Sequence, residues 1–246
     1  MRFYGADLHI HTALSCCASE EMSPNAICRR ALDMGLSVIA VTDHNSCENV
    51  EAMVEAGRRH GITVIAGMEV ESREEVHVLA WFPGVEQALC WQDRVYRSMP
   101  VVCHDWRKFG TQVTFDIQGQ RKDVVDRLLS MSSGLTLAQI AEGVRKLGGL
   151  CCAAHIDRPR NSLLGQLGLV PVEMEFDCFE LVHAQSAGEM RGLQALGVRG
   201  PFVLSSDAHR LAEIRPVRMA FYMSEPTLEE IRLALKGVDN RGVVFL

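Results

Sequence analysis

The sequence predicts an α/β barrel, with strands and helices alternating along most of its 246 residues. Three observations support this class. The alternation favours a parallel sheet, the predicted strands are apolar runs of the kind found in buried parallel sheets, and the length suits one barrel. About seven or eight such units would close a barrel. An open doubly wound sheet is the alternative, but no glycine-rich phosphate loop begins any helix, which weakens its nucleotide-binding version.

The first part of the chain contains four predicted strands and two helices. Ser23 suits the N-cap of the first helix, Pro24 suits its first turn, and Gly35 suits its end. The strands are predicted at residues 4–11, 37–42, 62–70 and 75–82, and the helices at residues 24–34 and 47–60.

Residues 83–135 interrupt this alternation. Residues 85–99 are predicted to be helical, and the remainder is too apolar for a linker because it includes Trp106 and Phe109. We therefore predict a partly helical insertion at about 83–135 that packs over one end of the barrel. Three tryptophans could either line a wall for a nucleobase or pack the insertion onto the barrel, which is the interpretation we favour: Trp81, Trp91 and Trp106.

Regular alternation resumes after the insertion and continues to the last residue. Thr136 is the predicted N-cap of the next helix, and Glu229 and Glu230 give the final helix an acidic first turn that suits its dipole. Helices are predicted at 136–147, 189–196 and 227–236, and strands at 150–154, 178–183, 202–206, 217–223 and 243–246. Residues 1–246 are therefore predicted to form a single barrel domain that includes the insertion.

Composition restricts the classes of function. The net charge of -6 argues against a general polyanion binder, so we expect no long nucleic acid as a partner. The N-terminus shows no signal peptide and no apolar run is long enough to span a membrane, so we expect a cytoplasmic protein without a membrane partner. Nine cysteines without a C-x-x-C pair favour buried thiols over disulfides or a structural zinc site. The oligomeric state stays open.

The motif Asp7-Leu8-His9-Ile10-His11 lies at the end of the first predicted strand. Residues two apart on a strand face the same side, so Asp7, His9 and His11 would project together. Two imidazoles on an otherwise apolar strand are costly to bury unless a metal ion uses them.

Other strand ends carry the same residue types. The carboxyl ends of parallel barrel strands meet at one face, so these side chains would lie together, and their chemistry suits zinc, manganese or iron. One ion takes about four to six ligands, so the set favours two or three ions sharing a bridging carboxylate, for which we choose Glu69. The candidate ligands are His9, His11, His44, Glu69, His77, His155, Asp207 and His209.

The motifs D-L-H-I-H-T, V-T-D-H-N-S, G-M-E-V, E-V-H-V-L, A-A-H and S-S-D-A-H occur in that order between residues 7 and 209. Together they resemble the successive motifs of the PHP (polymerase and histidinol phosphatase) family. The resemblance implies a distorted (β/α)7 TIM-like barrel, two or three bound metals, phosphoesterase activity and the eight ligands above. Asp43 matches the family's acid beside the histidine, and we expect it, like Asp7, to orient a ligand.

One stretch departs from the family pattern. Many members with three metals have an aspartate a few residues after the H-x-H motif, whereas this chain reads Ser15-Cys16-Cys17-Ala18-Ser19-Glu20-Glu21. Cys16, Glu20 or Glu21 could supply the third-metal ligand, and the third metal could instead be weak. Cys17 is interpreted as a packed thiol.

The loop after His155 carries Arg158 and Arg160, which could hold a phosphate through paired hydrogen bonds. Solvated loop arginines are the alternative, and Arg158 is the better candidate. His183 follows another predicted strand and could contact phosphate or protonate the leaving group, although a structural histidine is almost as good an interpretation. The predicted catalytic residues are Asp207, His209 and His183.

These observations favour a metal-dependent phosphoesterase that acts on a small metabolite, a mononucleotide or a short oligonucleotide through a metal-bound hydroxide. A metal-dependent C–N hydrolase of the amidohydrolase type is an alternative, although no strand-end lysine appears. A non-catalytic, metal-stabilised binding module is the other alternative, and the complete ligand set argues against it.

Overall fold

The computed structural model describes residues 1–183 and 187–246. Its main sheet has nine strands in the order β11-β10-β1-β2-β3-β4-β7-β8-β9, and β5 and β6 form a separate hairpin. The strands are β1 (Arg2–Ile10), β2 (Val38–Val41), β3 (Thr63–Glu71), β4 (His77–Phe82), β5 (Val113–Phe115), β6 (Arg121–Val124), β7 (Leu150–Ala153), β8 (Cys178–Leu181), β9 (Phe202–Leu204), β10 (Met219–Met223) and β11 (Gly242–Phe245).

Helices surround this sheet and cover its apolar residues. They are α1 (Pro24–Asp33), α2 (Val50–His60), α3 (Val85–Ser98), α4 (Trp106–Phe109), α5 (Leu137–Lys146), α6 (Leu163–Leu167), α7 (Ala187–Ala195) and α8 (Leu228–Leu235). Thr136 caps α5 through a capping box with Gln139, as its sequence position predicts. Ser23 occupies the N-cap position of α1 but its side chain makes no cap hydrogen bond.

The sheet forms a nearly closed barrel, which confirms the predicted fold class. The chain just after β9 approaches the end of β1, where His11 N donates to Ala208 O at 3.0 Å. Ile10 and Ala208 form a parallel bridge at this point. Strands β10 and β11 extend the sheet beyond β1 in antiparallel pairing.

Strand β4 departs from the parallel arrangement that the alternation predicted. It pairs antiparallel with both β3 and β7, with Glu71 opposite His77. The physical reason is the short connection of residues 72–76, because a parallel crossover needs a dozen or more residues. As a result, the first residue of β4, His77, lies at the edge where β3 ends.

The core lies between the sheet and its helices. Trp81 and Trp91 are fully buried, and the indole of Trp81 donates to Leu8 O at 3.0 Å. Because α3 carries Trp91 into this core, α3 belongs to the helical layer of the barrel. No helix of the described residues is long and apolar enough to cross a membrane.

The rest of the predicted insertion packs against the loops that follow β1 and β2. Val113 N donates to Ala13 O at 2.8 Å, and the side chain of Asn45 donates to Leu129 O at 2.7 Å. These loops leave the carboxyl ends of their strands. The β5–β6 hairpin and α4 therefore lie at the end of the barrel where His11 and His44 emerge.

Two helical glycines should respond in opposite ways to substitution by alanine. A Cβ at Gly143 of α5 would lie 2.4 Å from the ring of the buried Trp91, whereas a Cβ at Gly192 of α7 would meet no atom within 4 Å. We expect Gly143→Ala to lower the free energy of unfolding by about 1–3 kcal/mol, because the ring cannot yield. Gly192→Ala should raise it by about 0.4–1 kcal/mol.

Urea denaturation with linear extrapolation measures both changes. A neutral Gly143→Ala variant would contradict the tight packing of α5 against α3.

Candidate metal centre

Two histidines and an aspartate meet at the point where β1 and β9 approach each other. Nε2 of His9 lies 3.1 Å from Nε2 of His11, and both lie 3.0–3.1 Å from Oδ1 of Asp207. Metal–nitrogen bonds of about 2.0–2.1 Å place neighbouring ligand atoms at such separations. The two histidines are fully buried.

The carboxylate of Glu69 lies at the centre of the histidine cluster and is only 1% exposed. Its Oε1 lies 2.8 Å from His77 Nδ1 and 3.1 Å from His155 Nε2. Its Oε2 lies 2.9 Å from His44 Nδ1. Burial alone would raise the pKa of Glu69, but the surrounding histidines hold that pKa well below its ordinary value.

The donor atoms fit divalent metal ions. Oε2 of Glu69 accepts no hydrogen bond within the described chain although an imidazole nitrogen is close, which is the arrangement of two ligands that share a cation. Three overlapping groups have ligand atoms within 4.8 Å of one another. They are His9, His11, Glu69 and Asp207; His44, Glu69 and His77; and His11, His44 and His209.

The third group has a thiol beside it. Burial alone would raise the pKa of Cys17, but hydrogen bonds with His209 and His44 outweigh it and lower that pKa to about 6. Cys17 is therefore a contact of the histidine cluster, although its sequence position suggested a packed thiol. The signal available in the sequence was its place in the loop directly after H-x-H.

The other candidates for the third-metal ligand make different contacts. Cys16 Sγ lies 3.2 Å from Ser130 Oγ. Glu20 accepts a hydrogen bond from Thr111 at 2.8 Å, and Glu21 accepts one from Leu211 N at 3.3 Å. These contacts are with residues other than the candidate ligands, whereas His209 and His44 are the groups that lower the pKa of Cys17.

A buried carboxylate that the sequence analysis missed supports His9. Both oxygens of Glu180 lie 2.9–3.0 Å from His9 Nδ1, and Oε2 also accepts from His155 N at 2.9 Å. With Nδ1 bound in this way, His9 presents Nε2 to the cluster. A glutamate within the apolar run of β8 was the available signal, because a charge in a buried strand needs a partner.

Asp43 and Asp7 also contact the candidate ligands indirectly. Asp43 accepts hydrogen bonds from the backbone and hydroxyl of Thr12 and from the hydroxyl of Ser15, at 2.7–2.8 Å. Ser15 Oγ lies 3.0 Å from His11 Nδ1, so Asp43 can orient His11 through Ser15. Asp7 accepts from Ser206 N at 3.0 Å, close to the Asp207 turn.

Backbone strain accompanies the site. His155 and Asp207 have positive φ angles of 30° and 51°, and Asn45 and Asn161 have 49° and 55°. Such conformations are uncommon for residues with a Cβ and persist where the surroundings impose them. The two strand-end candidate ligands, His155 and Asp207, therefore lie in turns whose backbone conformation is unfavourable for residues with a Cβ.

The cluster opens into a cleft of about 330 Å³ that is lined by His44, His77, His209, Arg158, Arg160 and Asn161, among others. Arg158 forms an ion pair with Asp207. His183 does not line this cleft. Its side chain is 78% exposed and its Nδ1 lies 3.4 Å from Asp157.

Comparison with known proteins gives a family and a fold. A profile of the PHP domain matches residues 7–190. A Bacillus subtilis protein, described only as uncharacterized protein YqxK, is 24% identical over 97% of this chain and 63% of its own length. The chain thus spans less than two thirds of that relative.

Solved structures show the same fold at low identity. The lesion-specific endonuclease PfuEndoQ of Pyrococcus furiosus is 24% identical with a TM-score of 0.68, over 98% of this chain and 58% of its own. A Bifidobacterium adolescentis protein assigned as a metal-dependent phosphoesterase is 17% identical with a TM-score of 0.57, over 94% of each chain.

One of these structures corrects the predicted partners. Endonuclease Q, again 24% identical with a TM-score of 0.68, has been solved with a 27-mer duplex that carries an abasic lesion at the active site. The expectation of only a small phosphorylated substrate, without long nucleic acid, is therefore wrong. That expectation was based on the net charge of the whole chain. A local surface next to a metal centre can bind a polyanion even when the net charge of the chain is negative.

The lowered pKa of Cys17 predicts a fast-reacting thiol in metal-free protein. The thiolate exists above about pH 6, so iodoacetamide should modify Cys17 at neutral pH and more slowly as the pH falls through 6. Mass spectrometry of the peptide containing Cys17 measures the rate, and Cys17→Ser is the control. A rate midpoint near pH 8.5, typical of a free thiol, would show that the imidazoles do not stabilise the thiolate.

Proposed function

The chain belongs to the PHP domain family, and from this premise we propose that it hydrolyses phosphodiester bonds of nucleic acid at the candidate metal centre. The family and the similar structures indicate a metal-dependent hydrolase. The observation that carries the proposal is the set of three overlapping groups of candidate ligands next to an open cleft. Each of Glu69, His11 and His44 belongs to two of these groups.

We assign the eight histidine and carboxylate side chains named from the sequence to two or three divalent ions, with Glu69 as the bridge. Bound zinc, manganese or iron ions would lower the pKa of water and polarise phosphoryl oxygens. Cys17 is the proposed additional ligand beside His44 and His209. Glu180 and Asp43 hold the imidazoles of His9 and His11 in the required orientation.

The side chains around the cleft suit a phosphodiester. Arg158 lines the cleft beside Asp207, where its guanidinium can donate paired hydrogen bonds to phosphate oxygens. Arg160, Asp207 and His209 line the same cleft. We place these four side chains at the reacting phosphate, and the exposure of His183 argues against a place for it there.

Nucleic acid is the substrate class that the comparisons favour. Endonuclease Q is described as a lesion-specific endonuclease, and its solved complex holds a 27-mer duplex substrate with an abasic lesion at the active site. A screen of DNA and RNA oligonucleotides, with and without abasic sites, after loading with each metal in turn, tests the proposal. Hydrolysis of amides but of no phosphate ester would favour the C–N hydrolase instead.

Removing a ligand should abolish turnover without unfolding the barrel. We expect His9→Ala and Asp207→Ala each to lower kcat/KM for oligonucleotide cleavage more than about a hundredfold, with less bound metal. Elemental analysis and circular dichroism accompany the rates. His183→Ala is the matched control and should stay within a few-fold of wild type. Full activity of metal-loaded His9→Ala protein would contradict the mechanism.

Arg158 should affect substrate binding more than metal content. Loss of a charge-assisted hydrogen bond predicts that Arg158→Ala lowers kcat/KM by about tenfold to a hundredfold, mainly through KM. Arg158→Lys keeps the charge but not the forked geometry, so it should be intermediate. Arg199→Ala, at the opposite end of the barrel, should change neither constant. An unaltered KM in Arg158→Ala protein would show that Arg158 does not bind the phosphate of the substrate.

A further inference from the structure

A short exposed segment near the metal centre combines aromatic and basic side chains. Helix α4 carries Trp106, which is 60% exposed, and Phe109, which is 48% exposed. Between them are Arg107, whose guanidinium lies 5.4 Å from the Trp106 ring, and Lys108, which is 73% exposed. Together with Arg121 on the neighbouring hairpin, these four residues form what we call the aromatic-basic patch.

The patch is fixed to the loop that enters the metal centre. Gly110, directly after α4, has a φ of +90°, and a Cβ there would lie 2.4 Å from Cys16 O. His104 Nε2 lies 2.6 Å from Gly110 O, which closes the turn around α4. The preceding residue of the contacted loop is Ser15, whose Oγ lies 3.0 Å from His11 Nδ1 and accepts from His44 N at 3.2 Å. The patch therefore lies beside the rim of the site.

The surface around Trp106 also offers space for a planar ring. A cavity of about 310 Å³ is bordered by Trp106, Gln112, Arg121 and Val124, among others. Strand β6 is exposed along its whole length. The buried Trp81 and Trp91 have packing roles, so of the three tryptophans Trp106 is the one that this surface leaves available.

The charges of the patch suit a polyanion. Lys108 and Arg121 each have one exposed acidic neighbour, Asp105 at 3.5 Å and Glu20 at 3.7 Å. Such exposed pairs contribute little and can exchange for phosphate. Arg107 stacks on Trp106 and forms no ion pair within residues 1–183 and 187–246.

We propose that the aromatic-basic patch binds a single-stranded segment of nucleic acid that extends from the metal centre, with a base stacked on Trp106 and phosphates on Arg107 and Lys108. The proposal rests on the proposed function, because it deepens the substrate of the same site. Aromatic rings stack on any base and neighbouring basic residues follow the backbone, which together give sequence-tolerant binding. A protein partner would explain the apolar rings, but not the two basic residues between them at the rim of the proposed phosphodiester site.

Direct binding measurements with a fluorescein-labelled 15-nucleotide DNA strand test the proposal. Anisotropy should show that Trp106→Ala raises Kd about tenfold, and that the strand shields Trp106 of the wild type from acrylamide quenching. Arg107→Ala should reduce the slope of log K against log salt by about one phosphate contact. Phe3→Ala, which removes an aromatic ring 61% exposed at the opposite end of the barrel, is the matched control and should leave Kd unchanged.

Hydrolysis of bis(p-nitrophenyl) phosphate separates this proposal from the proposed function. This small diester carries no neighbouring base to stack on Trp106, so Trp106→Ala should cleave it at the wild-type rate. An unchanged Kd for the DNA strand in Trp106→Ala protein, or no binding by the wild type, would contradict the proposal that the aromatic-basic patch binds nucleic acid. Binding that depends on Trp106 without cleavage of any diester would support the patch and overturn the proposed function.

Discussion

The buried carboxylate of Glu69 is the constraint on which the rest of the site depends. An ionised carboxylate removed from water costs several kcal/mol unless opposite charges surround it. The barrel meets this requirement by directing imidazoles from several strand ends at its two oxygens, within 2.8–3.4 Å. Glu180, and Asp43 through Ser15, in turn hold two of those imidazoles in place.

Those imidazoles cannot all carry protons, because like charges repel at such distances. The pKa values show the conflict. Burial lowers the pKa of His11, and the neighbouring His209 and His44 lower it further. Burial also opposes protonation of His44, but the charge of Glu69 raises its pKa above the ordinary value. Divalent ions would resolve the conflict. They would supply the positive charge around Glu69 without requiring neighbouring imidazoles to be protonated together.

The architecture explains how a site of this density can form. Strand ends of a barrel converge on one face, and the reversal of β4 adds His77 to that face from the start of a strand instead of its end. The insertion then packs beside the same face, through Val113 and Asn45. The candidate metal centre and the aromatic-basic patch are therefore close together, although the overall charge of the chain is negative.

The sequence by itself determined the fold class and the cluster of His9, His11, His44 and Glu69, because hydrophobic periodicity and strand ends are local properties of the chain. Tertiary structure decided what depends on distant pairs. It aligned Glu180 with His9, surrounded Cys17 with imidazoles that lower its pKa, and left His183 exposed outside the cleft. The position of a residue in a loop does not determine whether its side chain points inward. The loop adopts the conformation in which its buried polar atoms form hydrogen bonds with neighbouring elements.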